Sequence, residues 1–263
     1  MNEDGSQTIE AARAELRSFA EQHLAAADAE FYANLARPAI RLEYAPSGGQ
    51  THLGGLPVLA PDVLWPTWRD VPLAAIAVLD LAELALFEPG LELPREGTLS
   101  FFYDARPQAP WGIDAADWGA WRLHYCAAGE GAEQQSPPGV RQFATRSVAP
   151  LQMLSSPGWE DAALQPLRAH SEDALLTLEG ALRCPRPRHQ VGGWPELIQG
   201  PIDWIKPYDR AAQMGWKFLA QFDSDAAAGF DWGGDDGVIA FAVPKERASI
   251  RDFENSSLIV QAD

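Results

Sequence analysis

Apolar residues recur at helical spacing in one long stretch near the start of the chain. Ile9, Ala12, Leu16, Phe19, Leu24, Ala27, Phe31 and Leu35 fall on one face of an α-helix. Ser6 or Thr8 supplies an N-cap, and Pro38 stops the helix shortly before it. The spacing predicts one long helix within residues 1–36. A weaker helical pattern covers Glu160–His170 and is interrupted by Pro166.

After Pro38 the pattern changes to short apolar runs bounded by Gly, Pro and Asp. These runs predict strands at Ala39–Tyr44, Leu73–Leu79, Thr98–Tyr103, Arg122–Ala127, Leu175–Leu178, Trp216–Phe222, Val238–Val243 and Ser257–Gln261. Pro-rich loops at Ala105–Trp111, Gln135–Gly139 and Cys184–Arg188 separate them. The last reads as an extended connector between halves.

The strand pattern repeats. The first half contains HLGGLP (His52–Pro57), AIAVLD (Ala75–Asp80) and EGTLSFF (Glu96–Phe102). The second contains HQVGGWP (His189–Pro195), FLAQFD (Phe218–Asp223) and DGVIAFA (Asp236–Ala242). The order is the same in both: His, Gly-Gly-x-Pro, an apolar strand ending in Asp, an acidic-Gly turn and another apolar strand. The unit is far longer than a solenoid repeat. It predicts two related β units, at about 39–127 and 175–261, packed about a pseudo-twofold axis around one core. Residues 37–263 then form a single domain behind an N-terminal helix.

These same residues resemble the YwqG-like family, a bacterial domain of unknown function. The resemblance covers roughly residues 37–261. It rests on RPAIRL (Arg37–Leu42), HLGGLP, Trp65-Pro66, GTLSFFYD (Gly97–Asp104), PWG (Pro110–Gly112), HQVGGWPELIQ (His189–Gln199), WKFLAQFDSD (Trp216–Asp225) and WGGDDGVIAFAV (Trp232–Val243). It implies a mainly β, β-rich α+β fold: an internally duplicated β roll or barrel. The Ala220-Gln221 pair of the second half is replaced by Ala77-Val78 in the first, so any polar role of that Gln is in doubt there. The family also looks distantly similar to the eukaryotic programmed cell death protein 2 group. That similarity implies a fold that binds polypeptide.

Charge adds an exclusion. With 20 basic and 37 acidic side chains the chain carries −17. Such a surface repels phosphate backbones and anionic membranes, so neither nucleic acid nor membrane is expected as a partner. It favours a basic or amphipathic polypeptide segment. Two cysteines far apart in sequence, Cys126 and Cys184, suit a reducing compartment. The acidic start MNEDGSQTIE lacks the features of a secretory signal, so a cytoplasmic location is expected.

No catalytic constellation, cofactor motif or metal motif emerges. The Gly-Gly turns lack the lysine of a phosphate loop, and the five aspartates of Asp223–Asp236 fail the EF-hand spacing. They read instead as a solvated acidic loop. His52 and His189 occupy matching repeat positions and suggest paired ligands or acid–base groups; the favoured alternative is a buried His bonded to a turn carbonyl. Trp111, Trp118 and Trp121, interleaved with Asp114 and Asp117, suggest a peptide-binding surface. With Trp194, Gln221 and Asp223 these residues make the candidate ligand-binding set. The expected function is a non-enzymatic protein- or peptide-binding module, chaperone-like or of toxin-immunity type. The alternative is an enzyme with a His/Asp site in the groove between the repeats.

Overall fold

The computed structural model describes residues 3–46, 49–200, 202, 215–245 and 251–262. Ten strands form its main sheet. They are β1 (Arg37–Tyr44), β2 (His52–Leu53), β3 (Ala74–Asp80), β4 (Thr98–Tyr103), β5 (Trp121–Cys126), β6 (Arg146–Ser155), β7 (Gln190–Gly192), β8 (Trp216–Asp223), β9 (Val238–Pro244) and β10 (Ser257–Gln261). Their spatial order is β10-β9-β8-β7-β1-β6-β2-β3-β4-β5, and every neighbouring pair is antiparallel. The sheet curls until it is nearly closed into a barrel. The protein is mainly β.

The order shows the duplication directly. β1 and β6 pair at the centre, with β2-β3-β4-β5 on one flank and β7-β8-β9-β10 on the other. Equivalent positions follow from register. Leu53 pairs with Ala77 as Val191 pairs with Ala220, and Asp80 pairs with Thr98 as Asp223 pairs with Val238. Each flank even carries its register shift at the same place, between Ala75 and Ala77 and between Phe218 and Ala220. A bulge kept at both places bends both flanks alike, which helps the sheet curl.

The strand expected at Leu175–Leu178 is not one. The strand that pairs with β1 across the centre is β6, which the sequence pattern missed. β6 contains Pro150 and alternates poorly, both of which argue against a strand. The proline is tolerated because only Arg146 and Ser147 pair with β2 on that side. Leu175 and Leu178 are instead buried on helix α4 (Gln165–Leu182). Pro166 sits in the first turn of α4 and starts the helix rather than interrupting it.

The long N-terminal helix is also corrected. It is a hairpin of α1 (Glu3–Ala20) and α2 (Ala26–Leu35). Ser6 and Thr8 lie within α1, not at its N-cap. The apolar stripe folds on itself, so that Leu16, Ala20 and Leu24 meet Ala29, Tyr32 and Ala33. Arg13 locks the hairpin by donating to the carbonyls of Ala33 (2.8 Å) and Ala36 (2.9 Å) at the end of α2. Leu164, Leu167, Leu175 and Leu178 complete this helical cluster, which is separate from the barrel core. Among the described residues, no helix is long and apolar enough to cross a membrane.

The barrel core centres on Phe101, Phe222 and Phe241. Their ring centroids lie 5.1 to 6.1 Å apart in edge-on contacts. Phe101 and Phe241 are register equivalents, so the two halves meet through one aromatic cluster. Replacing fully buried Phe101 with Ala should cost about 3–5 kcal/mol, because the cavity cannot collapse against two rigid rings. A urea denaturation midpoint measures it. A loss below about 1 kcal/mol would show that the core repacks.

Candidate binding cleft

Strand alternation sorts the side chains at the centre of the sheet. Ile40 and Leu42 of β1, Val191 of β7, and Ala220 and Phe222 of β8 enter the barrel core. Arg41, Gln190, Gln221 and Asp223 alternate with them and belong to the opposite face. The helical layer covers part of that face and leaves a cleft of about 420 Å³. Leu16, Phe19 and Tyr32 line it from the hairpin, and Glu179 and Leu182 from α4. Met153, Trp194, Leu197, Gln221 and His189 line it from the sheet and its loops.

The polar end of the cleft is an ion network. Asp223 is fully buried. Its Oδ2 accepts from Arg186 Nη1 at 2.9 Å and from the Arg188 backbone N–H at 2.8 Å. Glu196 Oε1 gathers Arg183 (3.1 Å), Arg186 (3.2 Å) and Arg188. Arg186 also reaches Asp236 at 2.8 Å. Burial pushes the Glu196 carboxyl above its usual range, and Asp223 adds to this while the three arginines oppose it. Burial likewise lowers Arg188, against the pull of Glu196 and Asp223. The connector Cys184–Arg188 is therefore held by charge, because carboxylates this deep need cations beside them.

Gln221 is spent on backbone. Its Oε1 accepts from the Glu196 N–H at 2.8 Å and its Nε2 donates to the Arg188 carbonyl at 3.2 Å. It thus staples the Gly-Gly-Trp-Pro loop to the arginine connector. In the first half, where Val78 replaces it, Ser100 Oγ accepts from the equivalent Val58 N–H at 3.1 Å. Trp194 is a second staple. Its Nε1 donates to the Leu35 carbonyl at 2.8 Å, and the Arg37 guanidinium lies 3.4 Å from its ring centroid.

His189 is buried and both its nitrogens are engaged. Nδ1 accepts from the Asp223 N–H at 3.3 Å, so Nε2 carries the proton and donates to Asp225 Oδ2 at 3.0 Å. The Tyr44 hydroxyl donates to the same oxygen. Burial raises the Tyr44 phenol, and the hydrogen bond to Asp225 raises it further. Burial also works against ionisation of Asp225. Donors from His189, Tyr44 and the Ala227 N–H outweigh it and hold the carboxyl down at about 2.

A family model described as Domain of unknown function (DUF1963) matches residues 51–262. The chain belongs to that family. A search of the curated proteins found no match. The DUF1963 match covers β2 through β10 and starts after α1, α2 and β1. Part of the cleft wall therefore comes from outside the matched region.

The predicted residues scatter over the DUF1963 fold. His189, Trp194 and Gln221 line one cleft, with Asp223 bound behind it. His52 is on the other flank, where its Nδ1 lies 2.9 Å from the Gly54 carbonyl. This is the favoured turn-supporting arrangement, and burial lowers the imidazole. The two histidines do not match by register. His52 is opposite Val78 as Gln190 is opposite Gln221, so the equivalent of His189 is Thr51. One extra residue before Gly192 hid this shift. Trp121 is buried and donates to the Ser256 carbonyl at 2.9 Å, so it is not a surface residue. Trp111 and Trp118 are about 40% exposed and lie apart from the residues lining the cleft.

The Asp223–Asp236 segment is not simply a solvated loop: Asp223 and Asp225 are buried and partnered. Among the described residues, no group of three His, Cys, Asp or Glu side chains is placed to hold a metal ion. Both cysteines are free thiols, and burial raises that of Cys126. Glu15, Glu179, Arg183, Arg188 and Glu196 complete the cleft and were not in the candidate set. Of these, only Arg188 lies in a segment that the sequence pattern singled out, the Arg-Pro connector.

Folding keeps Asp225 ionised further into acid than the unfolded chain does. The resulting stability is present above pH 3.8 and is lost as the pH falls towards about 2. The stability advantage of the wild type over Asp225→Asn should therefore shrink by roughly 2 kcal/mol across that window. Urea midpoints at several pH values measure this. A pH-independent difference would show that Asp225 is not held by these donors.

Proposed function

We propose that the protein is a non-enzymatic, cytoplasmic binding module whose cleft receives a segment of another polypeptide. The observation that carries this reading is the cleft itself, an apolar lining joined to a polar end whose carboxylates are held by arginines. Leu16, Phe19, Met153, Leu182 and Leu197 offer apolar contact. Gln221, Asp223 and Arg188 serve as scaffold. A partner gains by burying apolar side chains there, at about 25 cal/mol per Å² of area removed from water. This fits polypeptide recognition, in which a few anchors carry the affinity.

The engaged state of His189 supports binding over catalysis in the cleft. A general base needs a nitrogen free to take a proton from substrate. His189, the histidine that lines the cleft, has none. The resemblance to the bacterial YwqG-like group, and beyond it to the programmed cell death protein 2 group, supports the same reading. A chaperone-like or toxin-immunity role would use such a cleft. The −17 charge steers basic partners and disfavours nucleic acid.

Leu182 lines the cleft and is 37% exposed, so a larger side chain fits there without disturbing the core. Amphipathic peptides selected on the wild-type protein should bind Leu182→Trp at least about tenfold more weakly by calorimetry. Equal affinity for both proteins would place the binding elsewhere and remove this reading.

A further inference from the structure

We infer that the cleft selects a partner segment carrying a lysine or arginine, whose cationic head sits between the carboxylates of Glu15 and Glu179. The inference rests on the cleft being the docking site. It names what the occupant must carry.

Three arginines and three glutamates line the cleft. The arginines are committed. Arg41 pairs with Glu43 at 3.1 Å, and Arg183 and Arg188 pair with Glu196. Glu196 is compensated in charge by Arg183, Arg186 and Arg188 through Oε1, although its buried Oε2 has no hydrogen-bond partner. Glu15 and Glu179 are left. Neither is ion-paired among the described residues; Glu179 Oε2 accepts only the Trp159 N–H, at 2.7 Å. The other arginines of α1 cannot serve them. Arg13 is spent on the α2 carbonyls and Arg17 lies beside Glu21 at 3.8 Å.

The surroundings match the whole shape of a basic side chain. Phe19, half-buried at the cleft wall, offers an aromatic ring that attracts a cation. Leu16 and Leu182 offer apolar surface for its methylene stem. A docked segment would shield Glu179 from water. A cation compensates that carboxylate, whereas a neutral residue leaves it uncompensated and an acidic one repels it. The global charge of −17 draws basic segments to the surface. The two glutamates decide which segment stays.

Amphipathic helical peptides that differ only by Lys, Gln or Glu at one position test this, with binding read by calorimetry on the full chain. The Lys peptide should bind wild-type protein about tenfold more tightly than the Gln peptide, and the Glu peptide least. In a Glu15→Gln/Glu179→Gln variant the Lys and Gln peptides should bind alike. That variant removes only two of 37 acidic side chains, so general attraction is nearly unchanged. Gln at 179 still accepts the Trp159 N–H, which preserves the fold. Equal binding of Lys and Gln peptides to the wild type, or a Lys preference that survives in the variant, overturns the inference and leaves the cleft reading intact. Unchanged peptide binding by Leu182→Trp removes both.

Discussion

The organisation of the cleft depends on one buried carboxylate. Asp223 ends β8 with no exposed surface, in a position where an unpaired charge would cost several kcal/mol. Its compensation comes from Arg186 and Arg188, so the Cys184–Arg188 connector must cross at that level. The arginines then gather Glu196, which fixes the loop after Trp194. Trp194 in turn reaches the end of α2. A chain of polar contacts thus runs from the barrel to the helical layer. The cleft is the space it encloses.

The duplicated half shows what that carboxylate adds. Asp80 is the register equivalent of Asp223, and the two backbone N–H groups are satisfied alike. Asp80 donates to Thr51 Oγ1 at 3.1 Å, and Asp223 donates to His189 Nδ1 at 3.3 Å. The side chains then diverge. Asp80 Oδ1 accepts from the N–H groups of Ala82 and Glu83 and caps the short helix α3 (Leu81–Leu84). A cap needs no arginine, so the first half recruits no connector and builds no matching ion network. The bulge, the Gly-Gly turn and the aromatic core survive in both copies because they make the barrel. The ion network belongs to one copy because only there does the aspartate remain without backbone donors of its own helix.

Much of the fold was legible because it is written in local patterns. Paired Gly-Gly-x-Pro turns and apolar strands ending in Asp marked both flanks of the sheet. What failed was local ambiguity resolved by tertiary contact. LLTLE around Leu175 reads as either strand or helix, and the hydrophobic surface of the α1–α2 hairpin decides for helix. Pro150 argues against a strand until most of β6, all but Arg146 and Ser147, proves to lack a second neighbour. The cleft was legible only in part. His189, Trp194, Gln221 and Asp223 stood out through the repeat. Glu15, Glu179, Arg188 and Glu196 lie on four separate elements, and no spacing in sequence connects them.

Those four elements also explain why the helical layer belongs to the site. The DUF1963 match begins at Thr51, yet Leu16, Phe19 and Tyr32 line the cleft from before it. β1 lies there too, although it pairs with both β6 and β7 at the centre of the sheet. An N-terminal segment that supplies a central strand cannot be an appendage, because removing it would open the barrel between its halves. Its two helices then arrive over the polar face of β1, β7 and β8 by covalent connection, not by chance docking. The residues that give the cleft its uncommitted charge, Glu15 and Glu179, come from this layer. The barrel forms one wall of the cleft, and the helices form the other.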